Sequence, residues 1–416
     1  MTRYVRSAGP LLLLLIVPLL ITSLGCSGRG FVRDAYSPDF YKIPRLLPDN
    51  TLDKNPRFIV YGDNRPGWRG KQVMAKKHTY LTWKQLYLPG VYQLYLLGSG
   101  FSAGVNYLRK APDWGERQAR RVRDDIYAQA RRSNIDFIIH AGDMVTDGRR
   151  PKHWRTFLRQ YKEEVPLALE FPILPTIGNH EMANDSVYGM PNYRDVFSYP
   201  QFYVFRCPDV DFFVLDSDIL LDQNQLIDDD TQDELFAQWI FAGEGAEETA
   251  WLQRQLAASD KTFKVVVMHH PPLVFARHFD DWLNPEFGRN LKQKRQALLR
   301  VLRHHGVQIV FSGHQHMYEH SILSYEGVTG SEGKLHEIIT GGGGSPLHSP
   351  YEGQRLEACA AAYRQEGLDV LCIKQESIYN YCLVDVTSDT ITVTVFEVTE
   401  TPETTGRVVD TIIIGK

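Results

Sequence analysis

Five short polar clusters hold the residues best able to do chemistry. They are Gly62, Asp63, Asn64 and Arg65; Gly142 and Asp143; Gly178, Asn179, His180 and Glu181; His269, His270, Pro271 and Pro272; and Gly313, His314, Gln315 and His316. Two carboxylates, one amide oxygen and several imidazoles are hard to borderline ligands, suited to Mn, Fe, Zn or Co. Any one cluster has an ordinary explanation, since a lone Gly-Asp makes a turn and a lone His-x-His serves packing. Five in succession argue for one shared site.

Each cluster follows a short apolar run, at 58–61, 137–139, 173–177, 265–268 and 307–311. These runs read as buried strands, and a Gly ahead of the polar residue permits a tight exit with the backbone close to whatever is bound. Helical spacing lies between some of them: Ala119, Val122, Ile126 and Ala130 share one face, as do Leu291, Leu298, Val301 and Leu302. Alternating strands and helices predict an α/β layered body with the clusters just past the carboxyl ends of its strands, where ligand crevices form. Composition agrees, because 416 residues with 43% hydrophobic, 23% charged and mean hydropathy −0.30 exclude a disordered chain and a multi-span membrane protein. A balance of 46 Lys and Arg against 50 Asp and Glu gives −4, with no basic excess for nucleic-acid binding.

In order and strand context, the blocks GDNR, GD, GNHE, HHPP and GHQH resemble the calcineurin-like metallophosphoesterases, the superfamily that includes purple acid phosphatases. The resemblance implies stacked mixed β-sheets flanked by helices, and hydrolysis of a phosphomonoester or phosphodiester at a centre of two divalent or trivalent metal ions. It assigns Asp63 and His316 to the first metal, Asn179, His269 and His314 to the second, and Asp143 to both as the bridge. His269, rather than His270, is the expected ligand because Pro271 stands two positions after it; His270 is left as a supporting or rim residue. His180 matches the histidine that contacts phosphate and donates a proton. A pair of metal ions about 3.5–4 Å apart lowers the pKa of bound water and clamps the attacking and leaving oxygens.

Two departures concern the first metal. Its usual third ligand is a His where this chain has Arg65, and the Tyr used in purple acid phosphatases is replaced by Thr146. Water, Asn64 or another residue then completes the site. Arg65 either grips the substrate phosphoryl group or pairs with a nearby carboxylate. The competing class is a non-catalytic envelope lipoprotein that keeps the fold to bind phosphate or a partner.

The remaining sequence concerns location and boundaries. Arg3 and Arg6 precede an apolar stretch at 10–24, followed by Gly25 and Cys26, in the order of a signal peptide. Thr22 to Cys26 resembles a bacterial lipobox, with Ser23 as its departure, so lipidation at Cys26, a membrane partner and an extracytoplasmic envelope location are expected; a plain secretory signal or an uncleaved anchor are the alternatives. The domains expected are a signal peptide at 1–25, a tether at 26–55 and the metallophosphoesterase domain at 56–416. Within that domain an insertion at about 68–115 carries Tyr80, Trp83, Tyr87, Tyr92, Tyr95 and Phe101, read either as a bilayer or active-site cover or as a helical pair on the core. Terminal strands are expected at about 338–416, with 381–386 and 390–398 closing the second sheet. Cys207, Cys359, Cys372 and Cys382 are even in number, as disulfides require, and a Cys359–Cys372 bridge would pin an excursion at 351–377; buried free thiols are the alternative.

Overall fold

The computed structural model describes residues 43, 52–65, 116–182, 186–221, 244–283, 288–327, 330–401 and 406–416. The lipobox, Cys26 and the aromatic 80–101 stretch lie outside them. Two sheets form the body. The first has the order β13-β12-β11-β1-β2-β3, from Arg407–Gly415, Thr390–Val398, Tyr379–Val386, Arg57–Tyr61, Phe137–His140 and Ile173–Pro175. The second runs β10-β8-β9-β7-β6-β5-β4, from Asp369–Glu376, Tyr318–Glu326, Glu332–Thr340, Ile309–Ser312, Phe263–Val267, Val210–Val214 and Tyr203–Arg206. Both are mixed: β1, β2 and β3 are parallel while β11 is antiparallel to β1, and β5, β6, β7 and β9 are parallel between antiparallel edges.

Alternation along the strands explains the stacking. From the first sheet Phe58 and Phe137 point at the second, meeting Phe212 edge-on at 5.1 and 5.9 Å between ring centroids. Phe311 of β7 and Phe205 of β4 complete this layer. On the outer face of the first sheet packs α1 (Glu116–Ser133), burying Ala119, Val122, Ile126 and Ala130, the four positions its spacing singles out. The outer face of the second is covered by α2 (Glu244–Ala258), α3 (Gly288–His304) and α4 (Gly353–Gln365), with Leu252, Leu256, Leu298, Leu302 and Tyr363 in one apolar cluster. The five expected strands are β1, β2, β3, β6 and β7, and the helix–sheet–sheet–helix stack is the expected fold class.

The structure changes several expectations. The strands at 381–386 and 390–398 belong to the first sheet, because β11 pairs with β1 through Arg57–Asp385 to Val60–Cys382. The edge of the second sheet is instead β10, which pairs with β8, so much of the supposed excursion at 351–377 is sheet and helix. Cys207, Cys359, Cys372 and Cys382 are free thiols, and burial pushes Cys359 up to about 12. Ahead of β1, the Ile43 amide donates to Val196 O at 2.9 Å and that of Leu52 to Arg206 O at 2.9 Å. Among the described residues no helix is long and apolar enough to cross a membrane.

Candidate metal centre

The carboxyl ends of β1, β2, β3, β6 and β7 bring all five polar clusters to one place. Four described non-glycine residues have positive φ, and three of them are Asp63 (60°), Asp143 (58°) and His314 (64°). Such strain concentrates where a side chain must be aimed against backbone preference. The glycines give room. A Cβ on Gly178 would lie 2.5 Å from both Asp143 N and Asp143 Oδ1, and one on Gly313 would lie 2.4 Å from Asp63 Oδ2. No side chain fits at either position without moving a carboxylate.

Two groups of lone pairs result. In one, His269 donates its Nδ1–H to Ala141 O at 2.8 Å, which leaves Nε2 as an acceptor. That nitrogen lies 3.1 Å from Asn179 Oδ1, 3.3 Å from His314 Nδ1 and 3.4 Å from Asp143 Oδ1. In the other, His316 donates Nδ1–H to Pro346 O at 2.9 Å and turns Nε2 toward Asp63 Oδ1 at 3.4 Å. Asp63, Asp143 and His316 offer ligand atoms within 4.8 Å of one another. Asp63 Oδ1 is buried without a hydrogen-bond partner, although its other oxygen accepts the His314 amide at 2.8 Å. Buried acceptors facing acceptors repel unless a proton or cation lies between them. The donor set therefore fits metal ions, and the Nδ1–H bonds of His269 and His316 to backbone carbonyls turn their Nε2 lone pairs toward the site.

Arg65 enters the second of these groups. Its Nε donates to Asp143 Oδ2 at 2.7 Å and its Nη2 lies 3.4 Å from His316 Nε2. Asn64 does not complete the first site. It points away, donating to Tyr161 OH at 2.8 Å with its Oδ1 3.0 Å from His140 Nε2. His180 donates Nδ1–H to Thr146 O at 2.7 Å, and its Nε2 lies 3.9 Å from Asp143 Oδ2. His270 Nδ1 lies 2.9 Å from Ser217 Oγ, and the ring stands with His269 and His314 in a group whose ligand atoms lie within 4.8 Å of one another.

The electrostatics follow from burial and crowding. Burial pushes Asp63 up to about 7, with His269 opposing and Asp143 adding to the rise. Burial would raise Asp143 too, but His180, His269 and Arg65 outweigh it and hold Asp143 well below the carboxylate range. Burial lowers His180 to about 4 and holds His314 and His316 well below the usual value, the latter with help from Arg65.

Sequence reasoning passed over two positioning residues. Glu181, last of the GNHE block, accepts four backbone amides from the loops that carry Asp143 and Asn179. His348 stacks on His316 with centroids 4.3 Å apart and lies 3.0 Å from Gln315 Nε2. A carboxylate beside the ligand block was the available signal for Glu181; no motif marks His348.

A family model described as calcineurin-like phosphoesterase matches residues 112–318. The curated protein "Probable inactive purple acid phosphatase 27" of Arabidopsis thaliana is 24% identical over 230 residues, covering 52% of this chain and 36% of that protein. Among solved structures, purple acid phosphatase PPD1 from yellow lupin (Lupinus luteus) seeds superposes with a TM-score of 0.55 at 14% identity, covering 88% of this chain and 54% of the lupin chain. This chain thus spans about a third to a half of the length of these relatives, and the structural likeness shows a shared fold.

Proposed function

From the premise that the chain belongs to the calcineurin-like metallophosphoesterase superfamily, we propose that it hydrolyses phosphoesters at a metal centre held by Asp63, Asp143, Asn179, His269, His314 and His316. The observation that carries this reading is the convergence of Asn179 Oδ1, His314 Nδ1 and Asp143 Oδ1 within 3.4 Å of the lone pair on His269 Nε2. A Mn, Fe, Zn or Co ion bound there supplies Lewis-acid charge for the phosphoryl oxygens and lowers the pKa of water. The two acceptor groups correspond to the two metal positions that the sequence resemblance implies.

The chain's own residues do the rest. Asp143 presents one oxygen to each acceptor group and is held ionised by the cationic and imidazole groups around it. His180 faces the same crevice; an anionic ester raises its affinity for a proton, which Nε2 then delivers to the leaving oxygen while Nδ1–H stays anchored on Thr146 O. We further propose that the domain is lipid-anchored in a cell envelope through Cys26, supported by the charge and apolar order of residues 3–26.

The test is Asp143→Asn, in which metal content and turnover of chromogenic mono- and diesters should fall together. A fully active, metal-loaded variant overturns the mechanism. His180→Ala should lower turnover and leave most metal bound; complete metal loss there shows that His180 is misassigned. A non-catalytic phosphate-binding protein is the second reading, favoured by the Arg65–Asp143 ion pair and by the name of the Arabidopsis relative. It is distinguished by phosphate binding without turnover.

A further inference from the structure

The two acceptor groups are not equivalent. Around His269 Nε2 two oxygens and the Nδ1 of His314 gather within 3.4 Å, and no side-chain N–H of Arg65 reaches them in the described contacts. In the other group a guanidinium already stands between Asp143 Oδ2 and His316 Nε2, at 2.7 and 3.4 Å. Its backbone is fastened on both sides: Arg65 N–H donates to Asp143 O at 3.2 Å, and Arg65 O accepts from Ser345 Oγ at 2.8 Å. The Arg65 side chain is 13% exposed and its Asp143 partner 1%.

We propose that the Arg65 guanidinium takes the place of the first ion, so that the resting protein carries one resident metal, on Asn179, His269, His314 and the facing oxygen of Asp143. This inference rests on the metal-centre reading above. A guanidinium brings both positive charge and a fork of N–H donors, and here two of its nitrogens reach the two acceptors at once. A metal ion at Asp63, Asp143 and His316 would meet a like charge within contact distance, and one of the two must leave. The guanidinium also answers the family departure at this position, because it supplies charge where the usual His would supply a lone pair. It satisfies two of the three acceptors, and Asp63 Oδ1 remains the one without a partner. The second place is therefore closed by a side chain that movement of residue 65 would open.

Metal stoichiometry of the full chain is the measurement. The protein is stripped with chelator, reloaded with excess Mn(II), desalted and measured by elemental analysis, with low-temperature EPR to distinguish isolated from exchange-coupled ions. Wild type should hold about one Mn per chain with an uncoupled signal, and Arg65→His about two, coupled. Arg65→Ala should also rise above one. Two coupled ions in wild type, or an Arg65→His chain that folds and stays at one, overturns the proposal. His316→Gln provides a variant independent of residue 65 and should retain the single resident ion; its loss places His316 in the resident site and also overturns the proposal. No metal in any form overturns the metal-centre reading itself, so the two failures are distinguishable.

Discussion

The Glu181 carboxylate is fully buried and accepts four amide protons, from Asp143 (2.7 Å) and Gly178 (2.9 Å) on Oε2 and from Met144 (2.8 Å) and Val145 (3.1 Å) on Oε1. Burial and the Asp143 charge push its pKa up to about 8, while the amides pull the other way. Glu181→Gln keeps one acceptor oxygen and replaces the other with an NH2 that faces two N–H donors. Each stranded buried donor costs about 1–3 kcal/mol, so the Gln variant should lose about 2–6 kcal/mol. That is a large share of the ~5–15 kcal/mol by which a domain is stable. Glu181→Ala strands all four donors and should leave little folded protein. The assay is urea unfolding of metal-free wild type and Glu181→Gln by tryptophan fluorescence, followed by metal content after reloading. Metal should fall as well, because the Asp143 amide is one of the released groups. A Gln variant with the wild-type midpoint and full metal content refutes the idea that Glu181 holds the ligand loops.

Three further expectations are independent of that one. Gly178→Ala should destabilise the chain by about 1–3 kcal/mol and reduce metal content, since the added Cβ meets Asp143 N and Oδ1 at 2.5 Å; wild-type values for both contradict the packing. Burial raises Glu319 from 4.5 to about 8, so between those values the folded state binds a proton that the unfolded state does not, and stability falls as pH rises through that window. Glu319→Gln should remove on the order of 1.4 kcal/mol per pH unit of that slope, and equal slopes in denaturation series at pH 5 to 8 count against it. The mature chain should begin at Cys26 with added lipid mass, and Cys26→Ser should release it from membranes or stall processing; an intact mass starting elsewhere without lipid rules the assignment out.

The parts of the fold legible in sequence are those with two buried faces. Strands β1, β2, β3, β6 and β7 are short apolar runs ended by Gly-polar pairs, and their pattern differs from everything around them. Strand β10 was read as an excursion because its sequence, Asp369–Glu376, is an edge strand with Leu371 and Ile373 exposed, held by backbone pairing to β8. The sheet to which β11 and β12 belong was misassigned for a related reason. Alternation says that one face is buried, but either sheet could bury it, and the partner β1 lies more than 300 residues away in the chain.

At the site, residue type announces the ligands, but their partners are contacts between distant segments. Arg65 and Asp143 are separated by 78 positions and Arg65 and His316 by 251, so spacing along the chain does not reveal either contact. The geometry also shows what holds the ligand loops in place. Left-handed backbone at Asp63, Asp143 and His314 costs about 1–3 kcal/mol each, and the surrounding loops must hold it. Asp63 is fastened by Ser345 N–H on its carbonyl at 2.9 Å and by its own carboxylate on the His314 amide at 2.8 Å, while the Asp143 amide is held by Glu181. These bonds fix the direction of the ligand side chains, and a preorganised site loses less free energy to ordering when it binds. The same rigidity keeps Arg65 on Asp143: with both carboxylates fixed, occupation of the first position depends on whether a guanidinium or an ion fills the gap between them.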